Sequence, residues 1–262
     1  MKWVEIARGL GYATTLLSAC FLVQLFRLKL AGRYKLFAAY LITDILEGVL
    51  VFGVPEYSRW YLSVYLAGEA AKTILAVLFG VLLWGVALRG YPALGRAGKR
   101  VAYYVSLVSL ALAALMAAVL TPARSAFQDS LIHYFNALQG AADSALLLFL
   151  IATTVFLLWF PVEVPRNVAA FIGGFVFYAL QQWSFLLLVN LYPRRSTFVS
   201  IAALLLEAAC LIFWLAAVKR NGEAITTVTG HRWNKQEADK LLSQLEDINK
   251  RLSEVGEEAI YK

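Results

Sequence analysis

Asp44 and Glu47 stand three residues apart in one apolar run, and Glu69 and Lys72 three apart in the next. Residues at i and i+3 share a face of a helix, so each pair presents two ionisable groups side by side. A charge in hydrocarbon costs a few kcal/mol or more, and such residues turn to a bundle interior, a partner or a water-filled path. Later apolar runs add Asp143, Gln181 with Gln182, and Glu207. At roughly 1.5 Å of rise per residue these polar groups fall into one central-to-outer layer. Such a layer sets four or five carboxylates against one lysine, so it needs bound protons or a cation. Lys72 is expected to pair with Glu69 on its own helix, or with Asp44 or Glu47 on the preceding one.

Binding of a cation, a proton or a small polar ligand from the outer side is the chemistry this layer permits. The structural alternative is an ion-pair network that only fixes helix packing, since polar side chains hold helices together in membranes. Other chemistry is missing from the chain. It has no HExxH, CxxC, GxSxG or Gly-rich phosphate loop, so no familiar metal or nucleophile arrangement is present. His133 and His231 are far apart in the expected topology. Cys20 and Cys210 sit in apolar segments without disulfide or metal spacing and are expected as small core residues. Neither a metal nor a cofactor is expected, and the chain is not expected to be an enzyme.

The elements that carry these residues follow from composition. Of 262 residues, 61% are hydrophobic and 16% charged, and mean hydropathy is +0.67. That is an all-α polytopic membrane protein, with apolar runs long enough to span a core roughly 30 Å thick. Seven segments are predicted, at about 9–28, 36–54, 61–88, 101–121, 134–160, 167–191 and 197–218, forming a domain over 1–220. Gly32, Pro55, Gly90, Pro92, Pro122, Pro161, Pro165 and Pro193 punctuate them. The Leu17-Ser18-Ala19-Cys20 sequence resembles a lipoprotein cleavage box, but the apolar run continues through Phe26, so a spanning helix is expected there.

Net charge is +7, and the basic residues gather in alternate loops. Arg27, Lys29, Arg33 and Lys35 follow the first segment, Arg89, Arg96, Lys99 and Arg100 the third, Arg166 the fifth, and Lys219 and Arg220 the seventh. The positive-inside rule then puts the N-terminus outside and the C-terminus in the cytoplasm, and the compact loops lead to the expectation of a bacterial inner membrane. The lipid bilayer, and no nucleic acid, accounts for the charge. Trp84, Trp159 and Trp214 are expected in the inner interfacial belt, with Tyr57, Trp60 and Tyr61 at the outer edge. The outline is similar to that of rhodopsins and heptahelical receptors, but the seventh segment has no mid-span lysine for a Schiff base. No residue is carried over from that likeness.

After a polar linker over 221–233, Asn234 with Glu237 three residues on has the form of a helix-starting capping box. Ala238, Leu241, Leu245, Ile248, Leu252 and Val255 then recur at intervals of 3 and 4, the heptad rhythm of a coiled coil over 234–262. Leu at a with β-branched residues at d favours a homo-trimer or tetramer over a dimer. An amphipathic helix packed on its own bundle, or docked on a membrane or protein partner, is the alternative. The function expected is a non-enzymatic sensor or assembly component; the alternative is a cation or proton transporter or channel using the carboxylates.

Overall fold

In the computed structural model the chain is almost wholly α-helical; the structure describes residues 2–53, 59–91, 93–96, 98, 100, 103–104, 107, 111, 127–160, 162–191, 196–228 and 234–258. Helices run over α1 (Lys2–Arg27), α2 (Lys35–Gly53), α3 (Arg59–Ala87), α4 (Phe127–Trp159), α5 (Arg166–Leu191), α6 (Ser196–Ala217) and α7 (Lys235–Glu258). Among the described residues, stretches of α1, α3, α4, α5 and α6 are long and apolar enough to cross a membrane. The predicted fourth segment, 101–121, lies almost entirely outside the described residues.

Each of the helices α1 to α6 packs on its sequence neighbour, and α6 closes on α1, so the six form a ring. Helix α5 also reaches α3 across the middle. Helix α1 stops in a Schellman motif: Leu30 N donates to Leu25 O at 2.9 Å and Lys29 N to Phe26 O at 3.0 Å. Lys29 takes the left-handed position at φ 59°, and the flanking Leu25 and Leu30 are both buried, the apolar contact that accompanies this cap.

The lower centre of the ring is filled by aromatic side chains. Phe37 packs on Phe79 and Phe171 at centroid distances of 5.1 Å, on Trp214 at 5.2 Å and on Phe175 at 5.7 Å. All five are fully or almost fully buried. Trp214 therefore does not belong to the interfacial belt: its position on α6 turns it into the bundle, where edge and stacked contacts hold it. Trp60 and Trp159 are exposed, as an interfacial role requires. Cys20 also departs from expectation, lying exposed on α1 while Cys210 is buried.

Residues 220–233 are polar in composition, yet their described part is tied down. Arg220–Glu223 form a 3-10 turn, and β2 (Thr226–Val228) pairs antiparallel with β1 (Glu163–Pro165), Val164 opposite Thr227. Arg166 N donates to Ile225 O at 2.9 Å, extending the ladder. Helix α7 starts directly after Asn234 and rests on its own chain. Leu245 is 1% exposed, and Asn249 Oδ1 accepts from Ala93 N at 3.0 Å and Leu94 N at 3.3 Å. Leu241 and Leu242 are half-buried and Ile248 is exposed; the side chains of Leu252 and Val255 lie outside the described ones.

Candidate functional site: a caged lysine and an acidic cavity

Helices α2 and α3 form a hairpin whose facing stripes carry the predicted pairs. Lys72 Nζ lies 2.8 Å from Glu69 Oε1, 3.1 Å from Glu47 Oε2 and 3.5 Å from Asp44 Oδ1, and all four side chains are between 8 and 14% exposed. One ammonium thus serves three carboxylates, its own-helix neighbour and both residues across the hairpin. Glu47 Oε2 is buried and has no neutral donor among the described residues, so the Lys72 ammonium is what balances it. Glu47 lies this close to α3 because residue 68 is glycine: a Cβ there would run into the Glu47 carboxylate.

Neutral donors complete the cage. Ser18 Oγ on α1 donates to Asp44 Oδ2 at 2.9 Å, and Gln139 Nε2 on α4 donates to Glu69 Oε2 at 2.8 Å. Buried charge is tolerable only when the remaining lone pairs find donors. Neither Ser18 nor Gln139 was among the predicted residues. Gln139 had a readable signal, since it lies four residues before Asp143 on one helical face; Ser18 had none beyond being polar in an apolar run.

Asp143 and Gln182 do not join the cage but share a cavity beside it. This cavity of ≈ 10 Å³ is lined by Glu69, Lys72, Gln139, Asp143, Tyr178 and Gln182 among others. Gln182 Nε2 donates to Tyr178 Oη at 2.9 Å, and Tyr178 Oη lies 2.5 Å from Tyr40 Oη. Glu207 on α6 is partly buried, with Asp44 and Lys72 as its strongest charged neighbours. Gln181 does not line the cavity but stays linked to it: its Nε2 donates to Ala203 O on α6 at 3.3 Å and to Gln182 Oε1 at 3.5 Å, and its buried Oε1 has no partner among the described residues. Among the described residues no three His, Cys, Asp or Glu side chains are arranged to hold a metal ion.

A second polar centre, which the sequence reading did not single out, sits at the basic end of the bundle. Glu223 Oε1 accepts from Tyr34 Oη at 2.5 Å and from Asn167 Nδ2 at 2.9 Å, and its Oε2 lies 3.0 Å from Arg33 Nε. Asn167 also donates to Lys219 O at 2.8 Å and accepts from Lys219 N at 3.1 Å. Gly222 abuts Asn167 so closely that a Cβ would strike its Oδ1. Burial, then the Glu223 carboxylate beside it, pushes the Tyr34 hydroxyl far above its ordinary range. This centre fastens the connector to α7 onto the helices.

The two centres share one strip of chain. Phe37, Tyr40, Asp44 and Glu47 share one face of α2, and Tyr34, just before its first turn, continues the spacing of 3, 3, 4 and 3. Over 13 residues at 1.5 Å each, roughly 20 Å separates the Glu223 contact from the Lys72 cage. Compared with known protein families, curated proteins and solved structures, the chain matches none.

Proposed function

We propose that this chain is a seven-span inner-membrane protein, N-terminus outside and C-terminus cytoplasmic, that senses an ion or pH on the outer side and signals through its C-terminal helix. The observation that carries this is the strip along α2, which joins the Lys72 cage to the Glu223 latch of the tail. A change in the charge of the cage alters what Asp44 and Glu47 need from Lys72, and α2 runs from the cage to the Arg33-Tyr34 turn that Glu223 holds. Below the cage the buried aromatic layer of Phe37, Phe79, Phe175 and Trp214 favours access from one side only. Helices α1 to α6 are also unbroken where described, including at Gly173-Gly174, whereas transporter sites commonly use discontinuous helices.

Helix α7 is the output. Leu245 and Asn249 are engaged within the chain, while exposed Ile248 is offered to a partner. Release of α7 would free Leu245 as well and complete the apolar stripe for a homo-oligomer or a cytoplasmic protein.

A second function, cation or proton transport, is favoured by one observation: three buried carboxylates share a single lysine, and Asp143 lies in the cavity beside them with no partner among the described residues. The two are separated in lipid nanodiscs and vesicles. Acidifying the outer medium, or changing its salt, should alter hydrogen exchange in α7 and β2 without driving ion flux. Flux that Lys72→Met abolishes, with an unchanged tail, would establish transport instead.

A further inference from the structure

Asp143 is 9% exposed, and among the described residues it makes no hydrogen bond or ion pair. The charged group facing it is another carboxylate, Glu69. Lys72 lines the same cavity from α3 but is committed to Asp44, Glu47 and Glu69. From α2 and α5 the cavity is faced by the hydroxyls of Tyr40 and Tyr178, and from α4 itself by Gln139. A buried carboxylate with only a like-charged neighbour is not a stable arrangement, because desolvation and repulsion act together. Such a carboxylate favours a bound proton or cation.

The cavity limits what that is. At ≈ 10 Å³ it has the space of about one water-sized body, which excludes organic cations. Apart from the committed Lys72 ammonium, its polar groups are oxygens and amides, the ligands of hard ions. We propose that the Asp143–Glu69 cavity is a binding site for one univalent cation, either an alkali ion or a proton carried on the carboxylate or on water. This rests on the sensing function above and names what is sensed, at Asp143 and outside the Lys72 cage.

The test uses the full chain in nanodiscs and needs no mutation at first. A hydrophobic carbodiimide modifies protonated buried carboxyls, and peptide mass spectrometry reads labelling at Asp143. Labelling suppressed by Na⁺ or Li⁺ but not by choline, at fixed pH and ionic strength, would assign an alkali ion. Labelling that falls as pH rises and ignores the salt would assign a proton. Labelling that responds to neither, or no labelling under any condition, overturns the proposal. In parallel, the Tm of the wild type should rise by about 2–4 °C or more in the ion or pH range that protects, and Asp143→Asn should lose that response. An Asp143→Asn protein that keeps the full response also overturns it. If Asp143 binds while α7 exchange stays unchanged, the site stands and the sensing function fails.

Discussion

Glu47 and Lys72 are joined across the α2–α3 hairpin by an ion pair of 3.1 Å that exists because Gly68 leaves room for the carboxylate. The same lysine holds Asp44 and Glu69, so the hairpin is closed by a charge in short supply. Removing that charge is worse than removing any one acid, because three carboxylates would be left buried without a cation.

Lys72→Met should therefore destabilise the bundle by about 3–5 kcal/mol, the usual effect of leaving a buried charge unpaired. Combining it with Glu47→Gln and Glu69→Gln should recover much of the loss. Thermal unfolding in a fixed detergent measures both. A Lys72→Met protein as stable as the wild type would show that the cage contributes nothing to stability. A triple mutant no more stable than the single would show that unpaired acids are not the cause of the loss.

Gly68→Ala places a methyl group against Glu47. Overpacking of this sort costs about 1–3 kcal/mol. Adding Glu47→Ala should relieve the clash, so the effects of the two substitutions should be non-additive. Strict additivity in a double-mutant cycle would mean the two residues do not meet.

Tyr34 makes an alkaline prediction. Its hydroxyl is held above the ordinary value of about 10 by burial and Glu223. Unfolded chains lose that proton first, so they bind fewer protons than the folded protein above about pH 10, and stability falls as pH rises. The contribution is complete at lower pH and disappears on the alkaline side. Tyr34→Phe should flatten this slope relative to the wild type while costing about 0.5–1.5 kcal/mol at neutral pH for the lost hydrogen bond. Equal alkaline slopes in urea titrations of the two proteins would contradict it.

Leu245→Ala should loosen α7 and leave the membrane bundle alone. A buried Leu→Ala costs about 2–5 kcal/mol, enough to release a short helix, and limited proteolysis should then cut within 235–258 while bundle Tm is unchanged. Native mass spectrometry of the full chain and of a chain ending at Val228 tests the tail's role in assembly. That end point keeps Glu223 and β2 in place, which an earlier truncation would not. Oligomers present in the full chain and lost in the shorter one assign assembly to α7; the same mass in both assigns it to the bundle or to none.

The sequence by itself determined the class of molecule and the centre of interest. Long apolar runs place helices because an unpaired backbone cannot lie in hydrocarbon, and paired acids in those runs must face inward because solvation is lost on the other side. Asp44, Glu47, Glu69 and Lys72 were readable for that reason, and their i, i+3 spacing put them on two facing stripes. Tertiary structure decided what spacing cannot carry: which helices become neighbours and how each is rotated. Those two choices brought Ser18 and Gln139 to the cage, tied Gln181 to Ala203 on α6, and turned Trp214 from the interface into the core. They also drew Glu223, one acid in a polar stretch, onto Tyr34 and Asn167, a contact between residues 189 positions apart. Local periodicity fixes which side of a helix is apolar, but only packing of the whole ring selects the partner that side will meet.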